Sequence, residues 1–182
     1  MSKKALIIID IQNDYFPGGK WTLEGADQAA DNAARLLAAA RHRGDLVVHV
    51  RHEFDSADAP FFAPGSQGAA IHAKVEPRAG EPIVLKHKVN AFLGTDLENT
   101  LDRHGVEALT IVGSMSHMCI DAATRAAADL GYDVTVAHDA CATLPLEFDG
   151  KRVPAAQVHD SVMAALAFAY AKVVRTDELL NS

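Results

Sequence analysis

The sequence predicts an α/β protein, with a parallel sheet covered by helices on both faces. Two observations carry that reading. Short apolar runs rich in Val and Ile alternate with segments of helical periodicity along the whole chain, the pattern of successive βαβ units. The runs are also continuously apolar rather than alternating, as strands buried on both faces require. No internal repeat or low-complexity linker breaks the pattern. At 182 residues the chain has the length of one domain, so 1–182 is read as a single unit.

The elements follow in order. Ala5 to Ile11 (ALIIIDI) is the first strand. Ala26 to Arg43 is a helix, with Ala29, Ala33, Leu36, Leu37 and Ala40 on one face and Gly44 as its stop. Leu46 to Val50 is the second strand. His52 to Gly80 is long and rich in Pro, Gly and Ala, which marks a lid or a segment with short helices of its own. Ile83 to Leu85 is a short third strand, and Thr95 to His104 a helix. Ala108 to Val112 is a fourth strand, ending at Gly113. Cys119 to Leu130 is a helix stopped by Gly131, and Asp133 to Ala137 a fifth strand. Pro154 suits the first turn of a helix running to Tyr170. Lys172 to Arg175 is the sixth strand, after which the tail frays.

Composition narrows the function. Hydrophobic residues are 49% and charged residues 23%, ordinary globular proportions. The net charge of −7 lacks the basic footprint of a nucleic-acid binder. No apolar run reaches the roughly 18–20 residues that cross a bilayer. The start Met1-Ser2-Lys3-Lys4 is basic, but Asp10 cuts the following apolar run too short for a signal peptide. Two cysteines make no disulfide scaffold, so a reducing, cytoplasmic location is expected.

Chemistry in such sheets gathers beyond the C-terminal ends of the strands. That filter leaves Asp10, Arg51 and His52, Lys86, the run Gly113 to Cys119, and Asp139. Asp10 stands among Ile7, Ile8, Ile9 and Ile11 and needs a partner for its charge. It reads either as a structural carboxylate capping amides or as a catalytic one. Lys86 reads as a surface lysine or as the missing counter-charge, with Lys88 as competitor and only register in its favour. Cys119 follows a strand and loop at a helix start, where the dipole favours a thiolate. Cys141, in a loop after the fifth strand, reads as structural or incidental. Neither a GxxxxGK[ST] nor a GxGxxG phosphate loop occurs. The nine histidines include no HxH, HExxH or Cys/His cluster, and His42, His104 and His159 read as surface or helix-face residues.

Three segments together carry a resemblance: IIIDIQNDYFPGG, LKHKVNAFLGTDLE and IVGSMSHMCIDAATRAAADLGYDVTVAHDACAT. Their order and spacing resemble the isochorismatase-like cysteine hydrolases over nearly the whole chain. The resemblance implies a Rossmann-like three-layer α/β/α fold with a six-stranded parallel sheet. It also implies an Asp-Lys-Cys catalytic triad, here Asp10, Lys86 and Cys119. It places the oxyanion donors at the backbone N–H groups of Met115 and Cys119, and a cis peptide between Ser114 and Met115. Gln12, Phe16, Trp21 and His117 are candidate substrate contacts in the same loops, with Phe61 and Phe62 as further aromatics over the site. Such a hydrolase needs no cofactor and acts on a small molecule.

Two departures refine the expectation. Metal-dependent nicotinamidases carry Asp-x-His after the second strand. Here His52 stands where that Asp would and Phe54 where the His would, so no metal is expected. Isochorismatases can dispense with the cysteine, which this chain keeps. Both point to C–N bond cleavage in a small amide, carbamoyl or ureido compound. Vinyl ether hydrolysis and metal-assisted nicotinamide hydrolysis are the alternatives. A homodimer or homotetramer is expected from the resemblance, with Phe61, Phe62 and Phe148 as exposed apolar side chains to be covered.

Overall fold

The computed structural model describes residues 3–181. Met1 and Ser2, part of the basic start, and Ser182 lie outside the described residues. The elements are β1 (Lys3–Ile9), α1 (Ala26–Arg43), β2 (Leu46–His52), β3 (Ile83–Lys86), α2 (Leu97–Arg103), β4 (Val106–Ser114), α3 (Asp121–Asp129), β5 (Asp133–Ala142), β6 (Leu146–Phe148), β7 (Lys151–Val153), α4 (Ala155–Ala169), β8 (Lys172–Val174) and α5 (Thr176–Leu180).

Six strands form one parallel sheet in the order β3-β2-β1-β4-β5-β8. The chain lays β1, β2 and β3 outward in one direction and then returns to place β4 on the other side of β1. The crevice beyond the C-terminal ends of β1 and β4 is therefore the topological switch point, where sheets of this kind bind ligands. Side chains of β1 alternate between two cores. Leu6 and Ile8 pack with Ala29, Ala33, Leu36 and Leu37 of α1, and Leu179 and Leu180 of α5 join that cluster. Ala5, Ile7 and Ile9 pack with Leu97 and Leu101 of α2, Ala123 and Ala127 of α3, and Met163 and Leu166 of α4. Burial on both faces is why β1 reads as an unbroken apolar run.

Several expectations change. β5 extends through Ala142, because Cys141 and Ala142 pair with Gly113 and Ser114 past a register shift whose extra residues lie on β5. Cys141 is thus a buried strand residue, not a loop residue. Where the sequence predicts a fraying tail, Thr176–Leu180 form α5. Asp139 Oδ1 accepts from both the N–H and the hydroxyl of Thr176, each at 2.7 Å, and docks α5. The stretch between Leu144 and Val153 contains the antiparallel hairpin β6–β7. The segment from His52 to Gly80 is folded onto the loop after β1: Asn13 N–H donates to Ala70 O, Asp14 N–H to Gly68 O, and Phe62 N–H to Asp14 Oδ2 at 2.7 Å. Phe61 and Phe62 are consequently buried, against the expectation of exposure, whereas Phe148 is 82% exposed.

Candidate active site

Three strand ends bring the site together. Asp10 follows β1 directly and adopts φ 53°, a left-handed conformation that Asp tolerates better than most residues. Its N–H still donates to Val50 O at 2.9 Å, so the turn begins while the strand ladder is held. Lys86 is the last residue of β3 and the register partner of His52 on β2. Beyond β4 the peptide Ser114–Met115 is cis, and a single π-helical turn over Ser116–Ile120 carries Cys119. The helix start expected at Cys119 is therefore this turn, with α3 beginning two residues later.

Asp10 and Lys86 are 0% exposed and Cys119 is 6% exposed. The Lys86 ammonium lies 2.8 Å from Asp10 Oδ2 and donates to Cys119 Sγ at 3.3 Å. It also reaches the Lys88 carbonyl at 3.2 Å and His52 Nδ1 at 3.0 Å. Lys86, not Lys88, is thus the buried cation, as the register suggested.

Burial sets the proton affinities. It raises the Asp10 pKa, opposed by the charge and hydrogen bond of Lys86. At Lys86 burial works against the ammonium, but the charge of Asp10 leads the opposing influences, which prevail, and the pKa rises. At Cys119 burial comes first and the Asp10 charge second, and together they outweigh Lys86 and push the thiol up to about 12. This reverses the thiolate expected from a helix start: a buried sulfur beside a carboxylate rests as a thiol.

The π-turn is pinned from two sides. Ser116 Oγ donates to Ala142 O at 3.3 Å and hydrogen-bonds His159 Nδ1 of α4 at 2.8 Å. His159 is a half-buried residue on a face of α4. His117 hydrogen-bonds Thr143 Oγ1 at 2.6 Å, and Trp21 stacks on Phe61 at 4.8 Å. Phe16 is buried and stacked on the His72 ring at 3.7 Å.

Gln12 corrects an expectation. Its amide oxygen accepts from His52 N–H, and its amide nitrogen donates to His52 O and Ala69 O. Every bond it makes is to backbone and it is fully buried, so it braces the site and does not face a substrate.

A zinc site does not fit these residues. His52 directs Nδ1 at an ammonium, Phe54 offers no ligand, and His72 Nδ1 accepts from Lys74 N–H. Among the described residues no group of three or more His, Cys, Asp or Glu is arranged to hold a metal. A cavity of about 760 Å³ lies at the other end of the sheet, lined by Lys3, Arg41, Glu81 and His104, away from Cys119.

Comparison with known proteins agrees with this architecture. A family model described as an isochorismatase domain matches residues 4–178. YddQ of Bacillus subtilis (strain 168), an uncharacterised isochorismatase family protein, is 47% identical over 97% of this chain and 98% of its own length. A crystal structure of an isochorismatase-family protein from Oleispira antarctica superposes with a TM-score of 0.96 at 56% identity, over 100% of this chain and 97% of that one. A maleamate amidohydrolase of Pseudomonas putida is 32% identical over 75% of this chain and 71% of its own length. The fold, the family model over nearly the whole chain and these relatives lead to one conclusion: the chain belongs to the isochorismatase family of hydrolases.

Proposed function

We propose that this chain is a cysteine hydrolase that cleaves a C–N bond of a small amide, carbamoyl or ureido compound through a thioester acyl-enzyme. The observation that carries the reading is the buried contact of Lys86 Nζ with both Asp10 Oδ2 at 2.8 Å and Cys119 Sγ at 3.3 Å. A nucleophile, a carboxylate base and a cation that holds both are the parts such a reaction uses. The amidohydrolase among the relatives supports the same class.

The resting thiol assigns the first step. Asp10 takes the Sγ proton as the sulfur attacks the acyl carbon, so charge appears on sulfur only as the bond forms. The carbonyl oxygen becomes an oxyanion, received by the N–H groups of Met115 and Cys119. Asp10 then gives its proton to the leaving nitrogen, which departs as ammonia or an amine. In the second half Asp10 takes a proton from water, and the resulting hydroxide attacks the thioester. The acid leaves and Cys119 regains its proton. Lys86 keeps its charge throughout and offsets the negative charge that passes between Asp10, sulfur and oxyanion. No metal takes part, and His117 and Trp21 are proposed to touch the substrate. The protein is proposed to work as a cytoplasmic homodimer or homotetramer.

The test is a panel of small amides, ureas and carbamates, assayed for amine release and by intact mass after dialysis against a strong chelator. An acyl adduct on Cys119 is expected, absent in Cys119→Ala and retained in Cys141→Ala. Asp10→Asn and Lys86→Met are expected to lose at least ~100-fold in kcat. An adduct on Cys141, vinyl ether hydrolysis without amine release, or activity lost to chelation and restored by zinc would overturn the reading.

A further inference from the structure

His52 is not part of the triad, yet its ring touches it. An ammonium has three hydrogens to give and no lone pair to accept with. Lys86 Nζ has three hydrogen-bond partners, His52 Nδ1 at 3.0 Å, Lys88 O at 3.2 Å and Cys119 Sγ at 3.3 Å, and an ion pair with Asp10 Oδ2 at 2.8 Å. Because the ammonium cannot accept, His52 Nδ1 carries no proton and the ring's single hydrogen sits on Nε2. Nε2 meets no acceptor among the described residues, so Lys86 selects this tautomer.

The rest of the surroundings hold the ring still. Gln12, two residues past Asp10, grips both backbone groups of His52, each at 2.8 Å. His52 pairs with Lys86 across β2 and β3, which sets the two side chains next to each other. Phe54 meets the ring edge-on at 4.7 Å, and Phe62 lies at 6.3 Å. The contacts close a circuit that runs from Asp10 along the chain to Gln12, across to His52, on to Lys86 and back to Asp10.

We propose that His52 is a positioning residue: as a neutral acceptor it fixes one hydrogen of the Lys86 ammonium, as the Lys88 carbonyl fixes another, so that the third stays aimed at the sulfur and the charge stays beside Asp10. The inference rests on the cysteine-hydrolase reading. It also gives the site a reason to keep a histidine uncharged. Burial, the charge of Lys86 and then that of His87 lower its pKa to about 4, against smaller opposing effects of the Lys88 carbonyl and Asp55. A protonated ring could not accept from Lys86 and would set a second cation beside it.

The test separates this role from packing. Asn offers its side-chain oxygen where Nδ1 stood, whereas Leu fills the space without an acceptor. On an amide that the panel identifies, His52→Leu is expected to lose about 10- to 100-fold in kcat, the range of one charge-assisted hydrogen bond, with KM nearly unchanged. His52→Asn is expected to recover most of that loss. If Leu works as well as Asn, His52 only packs and the proposal fails. A nitrogen-15 NMR spectrum of the wild-type chain at neutral pH needs neither a substrate nor a variant. It should show His52 neutral with its proton on Nε2, and a proton on Nδ1 or a charged ring would overturn the proposal. Cys119→Ala is the control. Activity retained there sinks the cysteine reading, whereas activity lost there with Leu equal to Asn sinks only the role of His52.

Discussion

The chemistry at the residue scale turns on a balance of burial and charge. Asp10 and Lys86 are both fully buried and compensate one another at 2.8 Å. An isolated charge at either position would not be tolerated there. Cys119 receives opposing influences from the same pair, and burial with Asp10 prevails. The sign of the pH dependence follows. A thiol raised to about 12 is protonated throughout the neutral range. Alkylation of Cys119 by iodoacetamide, followed by peptide mass mapping, should therefore be slow at pH 7 and still climbing above pH 8.5, the ordinary thiol value. A midpoint below 8.5 would contradict this balance of burial and charge. The residue types were legible in the chain: a lone Asp in an isoleucine run, a Lys after a strand, a Cys after a strand and loop. The thiol's direction was not, because burial and the distance to Asp10 exist only after folding.

The element that matters most is the exit of β4. Gly113 pairs with Ile9 and has φ 128°, a conformation that favours glycine. A Cβ there would collide with the Ile9 carbonyl oxygen, which belongs to the strand ladder and cannot move aside. The close approach brings the turn bearing Cys119 against Asp10. Gly113→Ala is expected to cost at least ~3 kcal/mol, through backbone strain and separation of β1 from β4. Urea denaturation measures this, and a loss below ~1 kcal/mol would mean that the strands can part cheaply. The register shift opposite this point puts extra residues into β5, and there the apolar-run criterion stopped β5 early. The continuation HDACA is mixed in polarity, yet it pairs with β4.

For the whole molecule, the strand order decides which loops meet. Asp10, Lys86 and Cys119 lie far apart in sequence, and the return of β4 to the side of β1 brings their strand ends to one edge. The same assembly leaves Phe148 on the β6–β7 hairpin 82% exposed and Phe168 on α4 93% exposed. Large apolar side chains left in water favour association. Light scattering at micromolar concentration is expected to give a dimer or tetramer. Phe148→Ser and Phe168→Ser together are expected to shift it toward monomer. A wild-type monomer would remove the assembly from the proposal.

The sequence by itself determined the alternation of strand and helix, the parallel sheet and α1 to the residue. Each depends on local periodicity and on glycine stops, which neighbouring residues encode. It also put Asp10, Lys86 and Cys119 among its candidates by the rule that chemistry collects at strand exits, and the family resemblance joined them as a triad. Tertiary structure decided the rest. Gln12 became a backbone brace because β1 lies beside β2 and the segment after β2 folds back onto it, and His52 became a partner of Lys86 through the register of β2 against β3. Phe61 and Phe62 went inside because the long segment after β2 folds onto the loop after β1. The thiol stayed protonated because its proton affinity is set by groups brought close only when the sheet assembles.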